Sequence, residues 1–259
     1  MKIRIVAISV LAICLAVFLA GCGTRSISNS GYQKSGGWYG PPFGNPYYQG
    51  ELNELAVLGI DKALQPISES DIQAAMAEHE TLSLQRGDSI ILIQSGSMFP
   101  DASMLNEMKP YFTVTPLSGI PERTHYEGYN SDVSQKKPAA LNKVLRLTAA
   151  RAGAKALIVY WGILEASQQD QVTKTVSWVP VMGSLIPDEV QNMRIRLKGV
   201  VMDVETGNWL MLNPDAIDHK RISTRFNRGS ADQSQVGFLK VQAYTEFVDD
   251  LLGRFSIDR

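Results

Sequence analysis

The stretch Ala149-Ala150-Arg151-Ala152-Gly153-Ala154-Lys155-Ala156-Leu157-Ile158-Val159-Tyr160-Trp161-Gly162-Ile163 decides the fold class. Its first part closes a helix. Pro138 suits a first helical position, and Leu141, Val144, Leu145, Thr148 and Ala152 recur on one helical face. Gly153 is a natural C-terminal stop. Ala156 to Leu164 follows at once as an apolar run of strand length, read as a buried strand. Small residues at 149–154 let the helix end pack close against a sheet. A helix delivered straight into a buried strand marks an arrangement of mixed α/β type.

Reading toward the C-terminus, residues 165–191 form a long excursion with an apolar centre, Val176 to Pro187. Met193, Ile195 and Leu197 then alternate with Arg194, Arg196 and Lys198. That predicts a strand over 193–204 with one dry face and one basic face. Glu205-Thr206-Gly207-Asn208 reads as a hairpin turn, with Gly207 supplying a positive φ, and Trp209 to Leu212 as the returning strand. The chain closes on an amphipathic helix over about 233–255. Leu239, Ala243, Phe247, Leu251 and Phe255 form its stripe, with Val236, Val248 and Leu252 beside it.

Toward the N-terminus the same alternation of elements continues. Residues 119–137 are polar and turn-rich, a loop. Tyr111 to Pro116 predicts a strand, Met104 to Lys109 a short helix, and Ser89 to Gln94 a buried strand. Ser70 and Gln73 have capping-box spacing, and Ile72, Ala75, Met76, His79 and Leu82 recur at three and four. A helix is therefore expected over 71–85.

Composition narrows the function. The chain has 259 residues, 25 Lys+Arg against 26 Asp+Glu, and 44% hydrophobic residues. It can bury a core, and it lacks the basic excess of a general nucleic-acid binder. Cys14 and Cys22 are too few for a disulfide scaffold or a four-thiolate zinc site.

Residues 1–22 carry an address. Lys2 and Arg4 precede an unbroken run of small and apolar residues from Ile5 to Ala20, which ends Leu19-Ala20-Gly21-Cys22. That is the layout of a secretory signal peptide. The apolar run is near the lower limit for a membrane-spanning helix, the competing reading. The ending resembles the lipobox of bacterial lipoproteins. The resemblance implies a diacylglyceryl thioether on Cys22, cleavage before it, and acylation of the new amino group. Loss of 1–21 removes Lys2 and Arg4, leaving 23 bases against 26 acids, a charge of −3. It also removes Cys14, so no free thiol remains for redox or nucleophilic work. Several acyl chains make a durable membrane anchor. Gly23 stands where an Asp commonly retains enterobacterial lipoproteins at the inner membrane, so the rule points to the outer membrane; the domain is expected to face the periplasm.

Between the anchor and the domain the composition shifts. Gly31 to Gly50 holds six Gly, three Pro and six aromatic residues. Residues 22–50 are therefore expected to be a flexible tether, spanning about 30 Å r.m.s., with its aromatics as alternative docking groups. A single globular periplasmic domain is expected over 51–259.

The 149–163 stretch, together with Val201-Met202-Asp203-Val204-Glu205-Thr206-Gly207-Asn208-Trp209, resembles lipoprotein families built on the fold of the TolB amino-terminal domain. These include the curli-secretion lipoprotein and the outer-membrane activators of penicillin-binding proteins. The likeness covers roughly 88–255. It implies an α/β (α+β) fold, a mixed sheet with helices packed on it.

Catalytic patterns are sparse. Ser95-Gly96-Ser97 follows a strand, but Ile93 and Ser97 occupy the glycine positions of a nucleophile elbow. Asp215, Asp218 and His219 match no metal-ligand spacing, and His79 and His125 have no implied partners. There is no phosphate loop or dinucleotide fingerprint. The expectation is a non-catalytic, lipid-anchored envelope protein without cofactor or metal. It would bind a protein partner, or a second copy, in envelope assembly, secretion or cell-wall regulation. The alternatives are a periplasmic hydrolase or an oligomeric outer-membrane secretion component. Candidate functional residues are Cys22 for lipidation, and Trp178, Arg194, Arg196 and Lys198 for partner contact; the basic stripe would steer an anionic surface.

Overall fold

Along the strand Ala156–Asp170 successive side chains enter two different cores. Ala156, Ile158, Tyr160 and Leu164 face one; Leu157, Val159 and Trp161 face the other. Period-two alternation with both faces apolar is what a central strand covered on both sides requires. The computed structural model describes residues 23–30, 48–60, 68–77, 82–121, 140–170, 189–223 and 228–259. In chain order these form β1 (Gly23–Ser26), a 3-10 turn (Ile27–Asn29), α1 (Glu54–Val57), α2 (Glu69–Ala77), β2 (Ser89–Gln94), α3 (Ala102–Met108) and β3 (Thr113–Leu117). Then follow α4 (Leu141–Arg151), β4 (Ala156–Asp170), β5 (Glu189–Asp203), β6 (Trp209–Leu212), β7 (Ile217–Ser223) and α5 (Arg228–Arg254).

The described strands make one seven-stranded mixed sheet with the path β3-β2-β4-β5-β6. β2 pairs in parallel with β3 and with β4. β5 runs antiparallel to β4 over its whole length, from Ala156↔Asp203 to Asp170↔Glu189. This long hairpin carries two short strands end to end on each edge. β2 pairs with residues 156–160 of β4 and β1 with 163–166. β6 pairs with 199–202 of β5 and β7 with 189–195.

Helices α3 and α5 cover one face. Tyr160, Tyr244 and Phe247 are wholly buried there, with Leu239, Leu251, Met104 and Met108. Each such side chain contributes on the order of 1.5–3 kcal/mol of burial. Helix α4 and the chain around Leu52 and Val57 cover the other face, through Leu145 and Ala149. Gly153 ends α4 at φ +69, a conformation that side-chain-bearing residues avoid. The expected mixed sheet with packed helices is thus the fold.

Several local expectations are corrected. Of the predicted 165–191 excursion, 165–170 and 189–191 belong to β4 and β5, which stay paired to Asp170↔Glu189, while its apolar centre lies outside the described residues. In α2 no side chain is buried, and Ile72 and Met76 are exposed. Its capping interactions come from Ser68 and Asp71, each accepting from the other's backbone N–H, rather than from Ser70 and Gln73. Tyr111 and Phe112 are buried ahead of β3 rather than in it. On α4, Val144 is 43% exposed while Ala149 takes the inward place. The tether expected over 22–50 loses its first part: Gly23–Asn29 is strand and turn, and Ile27 is core. Residues 31–47 lie outside the described residues.

Candidate functional site

The site begins with a segment that has almost no apolar content, Gly23-Thr24-Arg25-Ser26-Ile27-Ser28-Asn29-Ser30. Ile27 is its single large apolar side chain and is 1% exposed. It fits because position 162 of β4 is glycine. A Cβ there would stand 2.7 Å from Ile27 Cδ1 and 2.5 Å from Leu197 Cδ2. Gly162 therefore opens the notch that Ile27 fills.

Around that notch the segment is held by side-chain hydrogen bonds. The Ser26 hydroxyl donates to Glu51 Oε1 and accepts from the Ser28 N–H, capping the 3-10 turn. Ser28 Oγ donates to the carbonyl of Ser95 at 2.6 Å and accepts from Gln94 Nε2 at 3.0 Å. Gln94, at the C-terminal end of β2, is 1% exposed. Its Oε1 accepts from the Tyr160 hydroxyl and from the Asp101 N–H, both at 2.7 Å. Tyr244 OH and Lys240 Nζ of α5 donate to Asp101 Oδ2 at 2.5 and 2.8 Å. The Tyr160 and Tyr244 rings meet edge to face at 5.9 Å.

This network joins the N-terminal segment, β2, the loop after it, β4 and α5. Burial, ahead of the Asp101 charge, pushes the Tyr160 phenol well above its ordinary range. Burial also raises Tyr244, followed by Tyr160 and Asp101. Both phenols therefore stay neutral and act as donors. Satisfied networks of this kind fix one arrangement of the elements they join.

Ser95, the residue that invited a nucleophile reading, is buried. Its hydroxyl accepts from the Leu52 N–H at 2.8 Å, and Trp161 Nε1 donates to the Leu52 carbonyl at 2.9 Å. Both backbone groups of Leu52 are thus held by side chains of the sheet. The Ser95 hydroxyl locks the chain that enters α1.

The expected basic stripe is a row of ion pairs. Arg194 pairs with Asp218 across β5 and β7, Arg196 with Glu165 of β4, and Lys198 with Glu54 of α1. Lys198 also lies over the Trp161 ring. Arg194 holds Asp218 below the usual carboxylate range, through its hydrogen bonds first. Three acids cancel three bases here, so the face presents mixed charge.

Of the other candidates, Cys22 and Trp178 lie outside the described residues, as do His79 and His125. His219 lies on β7 opposite Met193, and Asp215 is exposed. Among the described residues no three His, Cys, Asp or Glu side chains gather into a metal-holding group. No helix among them is long and apolar enough to cross a membrane. The Ser28–Gln94–Tyr160–Asp101 network escaped sequence reasoning, because Gln94 lies 66 residues from both Ser28 and Tyr160.

Two solved structures are similar to 65% of this chain. One is a dodecamer of a PelC point variant from Paraburkholderia phytofirmans, at 13% identity and TM-score 0.23, with 94% of that chain covered. The other is the hypothetical protein CT253 from Chlamydia trachomatis, at 10% identity and TM-score 0.28, with 98% covered. No curated protein sequence matches the chain. A family profile described as YafT bacterial lipoprotein matches residues 53–254.

Proposed function

Because the chain belongs to the YafT bacterial lipoprotein family, we propose that it is a non-catalytic envelope adaptor, lipidated at Cys22 and bound to a protein partner. Family membership makes it a lipid-anchored envelope protein. The outer membrane, a periplasmic orientation, the TolB-like kinship and the partner belong to our reading. Gly23 after the cysteine supports the first, and the two sequence motifs support the third.

One observation carries the adaptor reading: among the described residues a buried polar network holds the anchor-proximal segment in the sheet. Gln94, Ser95, Tyr160 and Tyr244 spend their hydrogen-bonding groups on Ser28, Leu52, Asp101 and one another. Preorganised catalytic sites aim such groups at a vacant reacting position. Here they aim at the chain itself. Trp178, and the mixed-charge face of Arg194, Arg196 and Lys198, are the proposed partner contacts.

The test pairs two measurements on the lipidated protein. Crosslinking in intact envelopes should capture a discrete protein whose recovery falls for Trp178→Ala or for Arg194→Glu. The purified protein should turn over no peptidase, esterase or muramidase substrate. Turnover abolished by Asp101→Asn or His219→Ala would replace the adaptor reading with a hydrolase.

A further inference from the structure

Lipidation of Cys22, on which this inference rests, places acyl chains one residue from the sheet. We propose that the domain stands end-on against the bilayer, with the far end of the β4–β5 hairpin in the lipid headgroup layer.

The direction follows from register. Gly23 pairs with Ala166 and Ser26 with Ile163. Read backward toward Cys22, β1 therefore runs alongside β4 toward its Asp170 end. Consecutive Cα atoms are about 3.8 Å apart, so no spacer separates the anchor from the ladder. Beyond Ala166 four more register pairs continue, from Ser167↔Asn192 to Asp170↔Glu189. At about 3.4 Å per residue they extend the hairpin roughly 14 Å farther in the same direction. A headgroup layer is on the order of 5–8 Å thick on each side of the hydrocarbon, so the strands must tilt to the bilayer for Asp170 and Glu189 to stay within it. With Cys22 held at the lipid, this end of the sheet meets the bilayer.

The anchor cannot swing away without breaking the fold. Ile27 is core, Ser28 belongs to the buried network, and Ser26 is bonded to Glu51. Standing the domain on its other end would strip β1 from β4.

The last four register pairs of this end join Ser167, Gln168, Gln169, Gln191 and Asn192 with Val190 and the acids Asp170 and Glu189. The opposite end carries the Lys155–Asp88 and Arg259–Asp249 ion pairs. It lies about 40 Å away, by the twelve-residue rise along β5 from Gln191 to Asp203.

The test uses full-length lipidated protein in vesicles of phosphatidylethanolamine and phosphatidylglycerol. A fluorophore is placed on Gln168→Cys, or, at the opposite end, on Glu205→Cys. Doxyl-labelled lipid should quench the first label severalfold more than the second, and both proteins should float with the vesicles. Flotation with equal, weak quenching at the two positions would overturn the end-on orientation and leave lipidation standing. Failure to float would overturn both.

Discussion

Gly162 and Gln94 carry the anchor segment by opposite means, one through absence of a side chain and the other through a full set of hydrogen bonds. Gly162→Ala would place a methyl 2.5 Å from Leu197 and 2.7 Å from Ile27, both buried. Overpacking of this kind costs about 1–3 kcal/mol. We expect a lower thermal midpoint and faster tryptic cleavage after Arg25; an unchanged midpoint would mean that the notch is loose. Gln94→Leu removes the acceptor shared by the Tyr160 hydroxyl and the Asp101 N–H, and the donor to Ser28 Oγ. An unsatisfied buried group costs about 1–3 kcal/mol, so the loss should exceed about 2 kcal/mol in urea unfolding. Tyr160→Phe leaves Gln94 Oε1 its bond from Asp101 and should cost only about 1 kcal/mol. The phenols also set a pH dependence. Burial raises both above their ordinary 10.0. Their contribution is fully present below that value and is lost as pH rises through the higher folded pKa. Stability should hold up to pH 10.0, fall above it, and fall less steeply in Tyr160→Phe.

At the level of elements, legibility tracked the amount of apolar pattern each element carries. The α4–β4 unit could be read because Leu141, Leu145 and Thr148 mark a helical face, Gly153 stops it, and 156–161 is continuously apolar. Helix α5 was legible for the same reason. Strand β1 was not, since Gly-Thr-Arg-Ser has no apolar residue and owes its conformation to the free edge of β4 beyond β2. Strand β7 hid as well: the sequence between Ile217 and Ile222 is wholly polar. The ion pairs of Arg194 and Arg196 depend on register with Asp218 and Glu165, which no single strand's sequence contains. Conversely, α2 shows a helical period but buries no side chain among the described residues. The docking of β1 has a direct test. Ile27→Asp puts a carboxylate into a core position that is 1% exposed, which an unpaired charge cannot occupy cheaply. Residues 23–30 should detach, with rapid cleavage after Arg25 and a lower midpoint. Equal protection of mutant and wild type would show that the segment does not depend on the notch.

For the whole molecule the anchor and the fold are adjacent in sequence but separable in energy. Gly23 opens β1, and Ser26, Ile27, Ser28 and the β1 ladder dock the segment. In the proposed reading Cys22 adds acyl chains to this fold. Burial of acyl methylenes at about 0.8 kcal/mol each supplies membrane affinity, whereas the fold draws on side-chain burial and the Gln94 network. Cys22→Ser should therefore abolish partitioning into a detergent phase while leaving the thermal midpoint of the domain unchanged. Partitioning that survives the substitution, with the mature N-terminus at another residue, would remove Cys22 as the lipidation site. A large fall in midpoint with partitioning lost would mean that acylation also supports the β1 edge, and that lipid and sheet form one cooperative unit.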